Sequence, residues 1–468
     1  MTRGRLVLVT GVAAFMGFLD ATVVNVAFPD IERSFPHTQR ADLSWVLNAY
    51  NVVFAALLVP AGRYADRLGR RRSFFAGVAL FVAASELCAA APTAGVLIAA
   101  RVVQAAGAAI VIPTSLALLL PAFPATARAT AVGLWGIGAA SAGAAGPSLG
   151  GLVVGNLSWR WVFLINVPIG AVVYLLGRRS LVEARDETRG ARPDLVGAAQ
   201  LALGMGALAL AIVKGKEWGW ESPRVVGSFA VAAGALALLA WRSRHHPAPM
   251  VEAAMLRVRS VAVGNGGTLL FAIAFYALLL NNVLFMTTVW RYSLLSAGGA
   301  LTTTPLTTAI LAAPFGRLAD RVGYRTLIVP GCLLYGVAAL WFAARCGTHP
   351  EFVSVWLPGG LVAGTGIALA FPVLASASVS ELPAARFGTG SAVNAAFRQT
   401  GAVLGVAVIV GILGTPSPAT ALTAFQHGWH VMAVVALSAG AVSMLLPGRA
   451  ALASPAAPAA EPAATSGG

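Results

Sequence analysis

Fourteen apolar stretches long enough to cross a bilayer fill almost the whole 468-residue chain. A crossing helix takes about 20 residues, and lipid offers no partner to an open backbone N–H or C=O, so stretches of this length confine the fold to a helical membrane bundle. The composition agrees, with 58% hydrophobic and 10% charged residues, against about a quarter charged in soluble domains. No hydrophilic stretch is long enough to house a separate catalytic domain. The net charge of +15 would point to nucleic acid in a soluble protein, but here the basic residues sit mostly in short connections between apolar segments, where they set orientation.

The spans run approximately over 5–28, 43–62, 73–91, 96–120, 129–154, 161–177, 194–213, 224–241, 262–289, 299–316, 326–344, 352–378, 387–413 and 423–446. With the N-terminus inside, 22 Lys and Arg fall on cytoplasmic connections and tails and 8 on external ones, leaving Arg101 and Arg398 within spans. Both termini are therefore expected in the cytoplasm. The first stretch holds Asp20 and lacks a small-residue cleavage site, so it reads as a permanent helix and not a signal peptide. Cys88, Cys332 and Cys346 show no paired spacing and predict no disulfide. Residues 448–468, rich in Ala and Pro, read as a disordered tail.

Two connections carry nearly the same residues: GRYADRLGRRR at 62–72 and GRLADRVGYR at 316–325. A constant offset of 254 aligns Gly62 with Gly316, Asp66 with Asp320, Arg67 with Arg321, Gly69 with Gly323 and Arg71 with Arg325, while Arg70 meets Tyr324. A solvated basic loop does not predict such a recurrence; a duplicated helical unit does, and duplication marks secondary transporters. The expected arrangement is six helices in 1–178, an inserted pair in 179–261 and six helices in 262–447. Trp218 and Trp220, in the external turn of the pair, sit at the depth of an interfacial aromatic belt.

These loops resemble the signature between helices 2 and 3 of the major facilitator superfamily. The runs LDATVVNVAFPDI at 19–31, RVVQAAGAA at 101–109, AGAAGPSLGG at 142–151, WRWVFLINVPIG at 159–170 and SAVNAAFRQTGAVLG at 391–405 are similar to its fourteen-helix drug:proton antiporter branch. The resemblance implies two six-helix bundles rocking around a central cavity, and export of toxic compounds in exchange for protons. It implies a proton-coupling role for Arg101 and Gln104, and it marks Gly146, Pro147, Gly150 and Gly151 as an antiporter motif, although Ala105 and Ala142 stand where the branch usually has glycine.

The residues themselves support parts of this. An acid inside a span is expensive and tends toward protonation, which suits Asp20 to a proton or cation-substrate role. Arg101 needs a carboxylate, helix-end carbonyls or water as its partner. Pro147 removes a backbone bond and the neighbouring glycines remove bulk, giving a pliable, smooth helix. Arg398 and Gln399, at the middle of helix 13, either bind substrate or lock helices, and Asn281 and Asn282 are further cavity candidates. Glu86 reads as interfacial, and His427 with His430 lacks a third ligand for a metal.

The expected function is proton-driven export of amphipathic small molecules, such as antibiotics or lipophilic cations, from the cytoplasm across a bacterial cytoplasmic membrane. A narrow exporter of one self-made antibiotic or metabolite, a solute:proton symporter and a polytopic membrane enzyme are the alternatives. Six scattered histidines offer no convergent catalytic group, and no GxxxxGK[ST] loop is present for a nucleotide. The reading expects no enzyme activity, no metal, no cofactor and no nucleic-acid partner, but a small drug-like substrate, protons and lipid around a monomer. With 30 arginines against two lysines, the composition also points to a high-GC bacterial genome.

Overall fold

The computed structural model describes residues 3–123, 128–183, 193–246, 249, 254–382, 387–414, 417 and 419–447. The expected tail at 448–468 lies outside them, as does the side chain of Asp320. Among the described residues there is no strand. The helices are α1 (Arg3–Ser34), α2 (Arg40–Leu68), α3 (Arg70–Ala90), α4 (Ala94–Leu119), α5 (Arg128–Asn156), α6 (Trp161–Ser180) and α7 (Leu195–Trp218). They continue as α8 (Pro223–His245), α9 (Arg259–Thr288), α10 in two pieces (Leu294–Leu301 and Thr303–Val322), α11 (Tyr324–Arg345), α12 (Leu357–Ala377), α13 (Phe387–Leu413) and α14 (Ala421–Ser443).

Twelve of the helices among the described residues are long and apolar enough to cross a membrane, and the bent α5 makes a thirteenth if its two arms count as one span. The span expected at 423–446 folds as α14, whose first half carries Gln426, His427 and His430. It is not among those twelve or thirteen, so the count of fourteen crossings is not established.

The tertiary packing follows the sequence duplication. In the first half α1 lies on α5 and α6, α2 on α4, and α3 on α4 and α6. Shifted by eight helices, the second half repeats this: α9 on α13 and α14, α10 on α12, and α11 on α12 and α14. The halves meet along two seams, α2 with α13 and α5 with α10, which the same shift interconverts. Helices α7 and α8 pack on each other, and α7 also touches α2 and α13.

Close approach is what a bundle in lipid uses instead of a hydrophobic drive between helices. A Cβ on Gly401 would stand 2.7 Å from Leu269 O, and one on Gly405 2.5 Å from Ile273 O, so α13 lies directly against the backbone of α9. Helix starts use local caps: Thr93 Oγ1 accepts from Val96 N and Asp194 Oδ1 from Gly197 N. A single glycine joins α2 to α3 and another joins α10 to α11. Gly69 and Gly323 hold φ at +113° and +96°, a region that strains any residue with a Cβ. These two turns define the arginine-rich end of the bundle; the loops after α1, α3, α5, α7 and α9 define the opposite end.

Candidate functional site

Asp20, halfway along α1, meets Arg101 of α4 at 2.5 Å, with the two side chains 0% and 1% exposed. Arg101 Nη1 also donates to Gln104 Oε1 at 2.6 Å, and its Nε donates to Val46 O of α2 at 3.1 Å. Gln104 Nε2 returns a hydrogen bond to Asp20 Oδ1 at 2.7 Å and another to Ser85 Oγ of α3 at 2.7 Å. The spacing of Arg101 and Gln104, one turn apart on α4, lets both reach the same carboxylate. The guanidinium lies over the Tyr50 ring, 4.0 Å from its centroid, and the Cys88 thiol donates weakly to Gln104.

Two members, Ser85 and Asn166, escaped the sequence reading. Asn166, the first residue of the main segment of α6, donates through Nδ2 to Asp20 Oδ1 at 3.0 Å and to Ser85 Oγ at 3.2 Å, and its own Oδ1 is buried without a partner. Its only signal was a fully polar amide before Pro168 in an apolar run. Five helices thus meet in one cluster around Asp20, whose carboxylate receives Nη1 of Arg101 on one oxygen and the amides of Gln104 and Asn166 on the other. A buried ion pair holds only when its remaining donors and acceptors are met, and here both Asp20 oxygens and the Nε and Nη1 of Arg101 have partners.

At the arginine-rich end, Asp66 Oδ1 accepts from Arg70 Nε at 2.7 Å, while Arg70 Nη1 reaches Ala117 O of α4 at 3.4 Å. Gly69 has no side chain to cap α3, so Glu183, from beyond α6, accepts from the backbone N–H of Arg71 at 3.0 Å and of Arg72 at 3.3 Å. Gly62 lies against Pro113, with 3.5 Å left for a Cβ. Arg67, Arg321 and Arg325 are exposed, and a Cβ on Gly316 would meet nothing within 4 Å.

The three glycines of the helix 5 motif divide between two neighbours. Gly146 and Gly150 face α1, against Thr22 and Val26, whereas Gly151 faces α10, where a Cβ would stand 2.6 Å from Leu294 O. Ser148 and Thr302 share a hydrogen bond across the same seam. Helix α5 bends by 42° between its arms Leu134–Gly143 and Ala145–Asn156. The bend falls at the carbonyl four residues before Pro147, the group that a proline ring displaces. At the opposite end Arg40 Nη1, ion-paired with Glu32, donates to Gly414 O and so closes the α2–α13 seam as well.

A duplicated bundle with these motifs matches the profile of the Major Facilitator Superfamily over residues 10–406. The chain belongs to the major facilitator superfamily. Membership places it among transporters and not enzymes. It is 35% identical to the multidrug resistance protein Stp of Mycobacterium tuberculosis over 90% of this chain and 78% of that one. It is 32% identical to the methylenomycin A resistance protein of Streptomyces coelicolor, over 86% and 84% of the two chains. Among solved structures, an auto-inhibited POT family peptide transporter superposes with a TM-score of 0.69 over 98% of this chain and 99% of that one; at 17% identity it shares the fold alone.

In this transporter the remaining candidates lie apart from the Asp20 cluster. Asn281 Nδ2 donates to Phe425 O at 3.4 Å and Asn282 Oδ1 accepts from Trp429 Nε1 at 2.8 Å, so both tie α9 to α14. Gln399 is buried on α13. Arg398 crosses from α13 toward α1, its guanidinium 5.4 Å from the Phe18 ring centroid. Glu86 is exposed near the end of α3, and Asp30 accepts from Trp159 N at 3.1 Å beside an ion pair with Arg33. The three cysteines are buried and free, and no group of three metal-binding side chains occurs among the described residues.

Proposed function

We propose that this transporter exports drug-like amphipathic molecules from the cytoplasm of a bacterium in exchange for protons, with residues 1–178 and 262–447 rocking as two units about the seams and the inserted pair in 179–261 accompanying them. The arginine-rich end, and with it both termini, faces the cytoplasm, because basic connections are retained on that side. The observation that carries the reading is the buried Asp20–Arg101 pair. Protonating Asp20 removes the charge that holds Arg101, Gln104 and Asn166 together, so helices α1, α4 and α6 lose a shared anchor in one state and regain it in the other.

Similarity to the Stp and methylenomycin A resistance proteins supports drug export, and the tight α5–α10 contact at Gly151 supports a seam that opens and shuts as the bundles rock. Proton entry from outside would release compound and turn the site inward; deprotonation would accompany loading of the next molecule. Moving one charge through 100 mV supplies about 2.3 kcal/mol, enough for useful accumulation. The test is proton movement in inside-out vesicles on addition of lipophilic cations, macrocycles and neutral antibiotics. The parent should show compound-triggered flux and Asp20→Asn should not; compound movement that persists with unchanged proton flux in Asp20→Asn sinks the coupling role.

A further inference from the structure

Three charged side chains among the described residues lie well inside their helices: Asp20, Arg101 and Arg398. Glu86 is exposed near the end of α3, and Asp20 is consumed by Arg101 and two amides. Arg398 is therefore the uncompensated charge at the crossing of the two halves. Its Nε is buried and makes no hydrogen bond, and no carboxylate among the described residues forms an ion pair with it. A guanidinium at bilayer depth is costly without a partner, and it is held in place here by its own helix: one turn earlier Asn394 donates to Asn265 Oδ1 at 3.0 Å and Thr268 Oγ1 at 2.9 Å, fixing α13 on α9.

The surroundings of Arg398 are aromatic. Phe18 lies beneath the guanidinium and packs edge-on with Trp135 of α5, the ring centroids 6.2 Å apart. Tyr276 of α9 is near enough to feel the arginine's charge, and it packs edge-on against Phe275, which meets Phe371 of α12. A ring from each half, Phe18 of α1 and Tyr276 of α9, thus lies near this cation, and Trp135 of α5 and the Phe275–Phe371 pair pack behind them.

Resting on the export reading above, we infer that the exported compound carries an anionic group, a carboxylate or an acidic enol or phenol, on an apolar body, and that Arg398 receives it. The planar guanidinium presents paired N–H donors that match a carboxylate, and the rings take the apolar body. A lipophilic cation would instead meet a positive charge that no carboxylate among the described residues offsets. Exchange of a proton inward for a monoanion outward moves two charges per cycle in the same electrical sense. Exchange for a monocation moves none, so membrane potential tells the two apart.

The experiment uses inside-out vesicles holding the full chain, with a fluorescent aromatic carboxylate, its methyl ester and a matching quaternary ammonium derivative. The parent is expected to accumulate the acid in preference to the ester and the cation, with a gradient that responds to an imposed potential by about 50-fold per charge for each 100 mV. Arg398→Gln is expected to lower kcat/KM for the acid by about 10- to 100-fold while changing the ester less than about twofold, and Arg398→Lys to recover part of the loss. A parent that prefers the ester or the cation overturns the inference without any variant having to fold. So does an Arg398→Gln protein, present at parental level, that loses acid and ester alike, since that is a helix lock. Movement of the ester and cation but never the acid leaves export standing and the anion inference overturned; movement of no member of the series or of the wider drug panel overturns the export reading itself.

Discussion

Gly151 of α5 and Gly298 of α10 face each other across the seam between the two halves, so closely that a Cβ on Gly151 would stand 3.0 Å from Gly298 Cα. The neighbouring backbone leaves no flexible side chain to yield, and the Ser148–Thr302 hydrogen bond sits on the same line.

Gly151→Val should wedge this end of the seam open. Overpacking of this kind costs about 1–3 kcal/mol, and because the strain falls only on the state in which the seam is shut, drug transport should drop by about 10-fold or more. Maleimide labelling of a cysteine placed at Leu294, buried beside Gly151, should speed up in the variant. Unchanged labelling with normal transport would mean the seam is not shut in the working cycle.

Asp20→Asn keeps the shape of the side chain but leaves Arg101 charged, buried and without its anion. Thermal unfolding in detergent should show a loss of about 3–5 kcal/mol. Adding Arg101→Met removes the stranded charge, so the double variant should regain most of that stability while staying inactive in proton-coupled transport. If the single variant is as stable as the parent, the pair is not a dry ion pair. Asn166→Leu, which strips a donor from the same carboxylate, should impair transport in the same assay.

Gly69→Ala should act on the α2–α3 turn in two ways. The backbone there holds φ at +113°, and the new methyl would lie 2.7 Å from Glu183 Oε1, displacing the group that caps Arg71 and Arg72. The cost should be about 1–3 kcal/mol, with faster trypsin cleavage after Arg70 to Arg72 as the first turn of α3 frays. Glu183→Ala should reproduce the cleavage without the backbone strain. Slow cleavage in both would show that the turn holds without this cap.

Cys346, just beyond α11, is buried, and that burial, with the nearby Glu351 charge, pushes its thiol up to about 12 from an ordinary 9.0. The unfolded chain ionises first, so this group's share of stability is intact below about pH 9 and falls away as pH climbs from there toward about 12. Folded protein in detergent should resist maleimide at pH 7–9, with reaction only after denaturation. Rapid labelling of Cys346 in the folded protein would refute its burial.

Much of the candidate site was legible before any packing was known, and for a physical reason. Charged groups at bilayer depth are costly enough to be noticed one at a time, which singles out Asp20, Arg101 and Arg398 in a chain only 10% charged. The turns at Gly69 and Gly323 were legible because a repeated motif is visible in one dimension. Asn166 and Ser85 were not legible, since neutral polar side chains inside helices are common and carry no such penalty on their own. Nor did the helix 5 motif announce that Gly146 and Gly150 serve α1 while Gly151 serves α10.

The sequence alone determined that the backbone is helical, where most of the helices lie, that the unit is duplicated, and which charges sit within the bilayer; lipid enforces each of these on a segment by itself. Only the tertiary structure decided that Asp20 belongs to Arg101, 81 residues away, while Arg398 forms no ion pair with a carboxylate among the described residues. Partnership depends on the rotation and depth of each helix, and these come from the summed contact of many small residues with their neighbours, which no single helix contains.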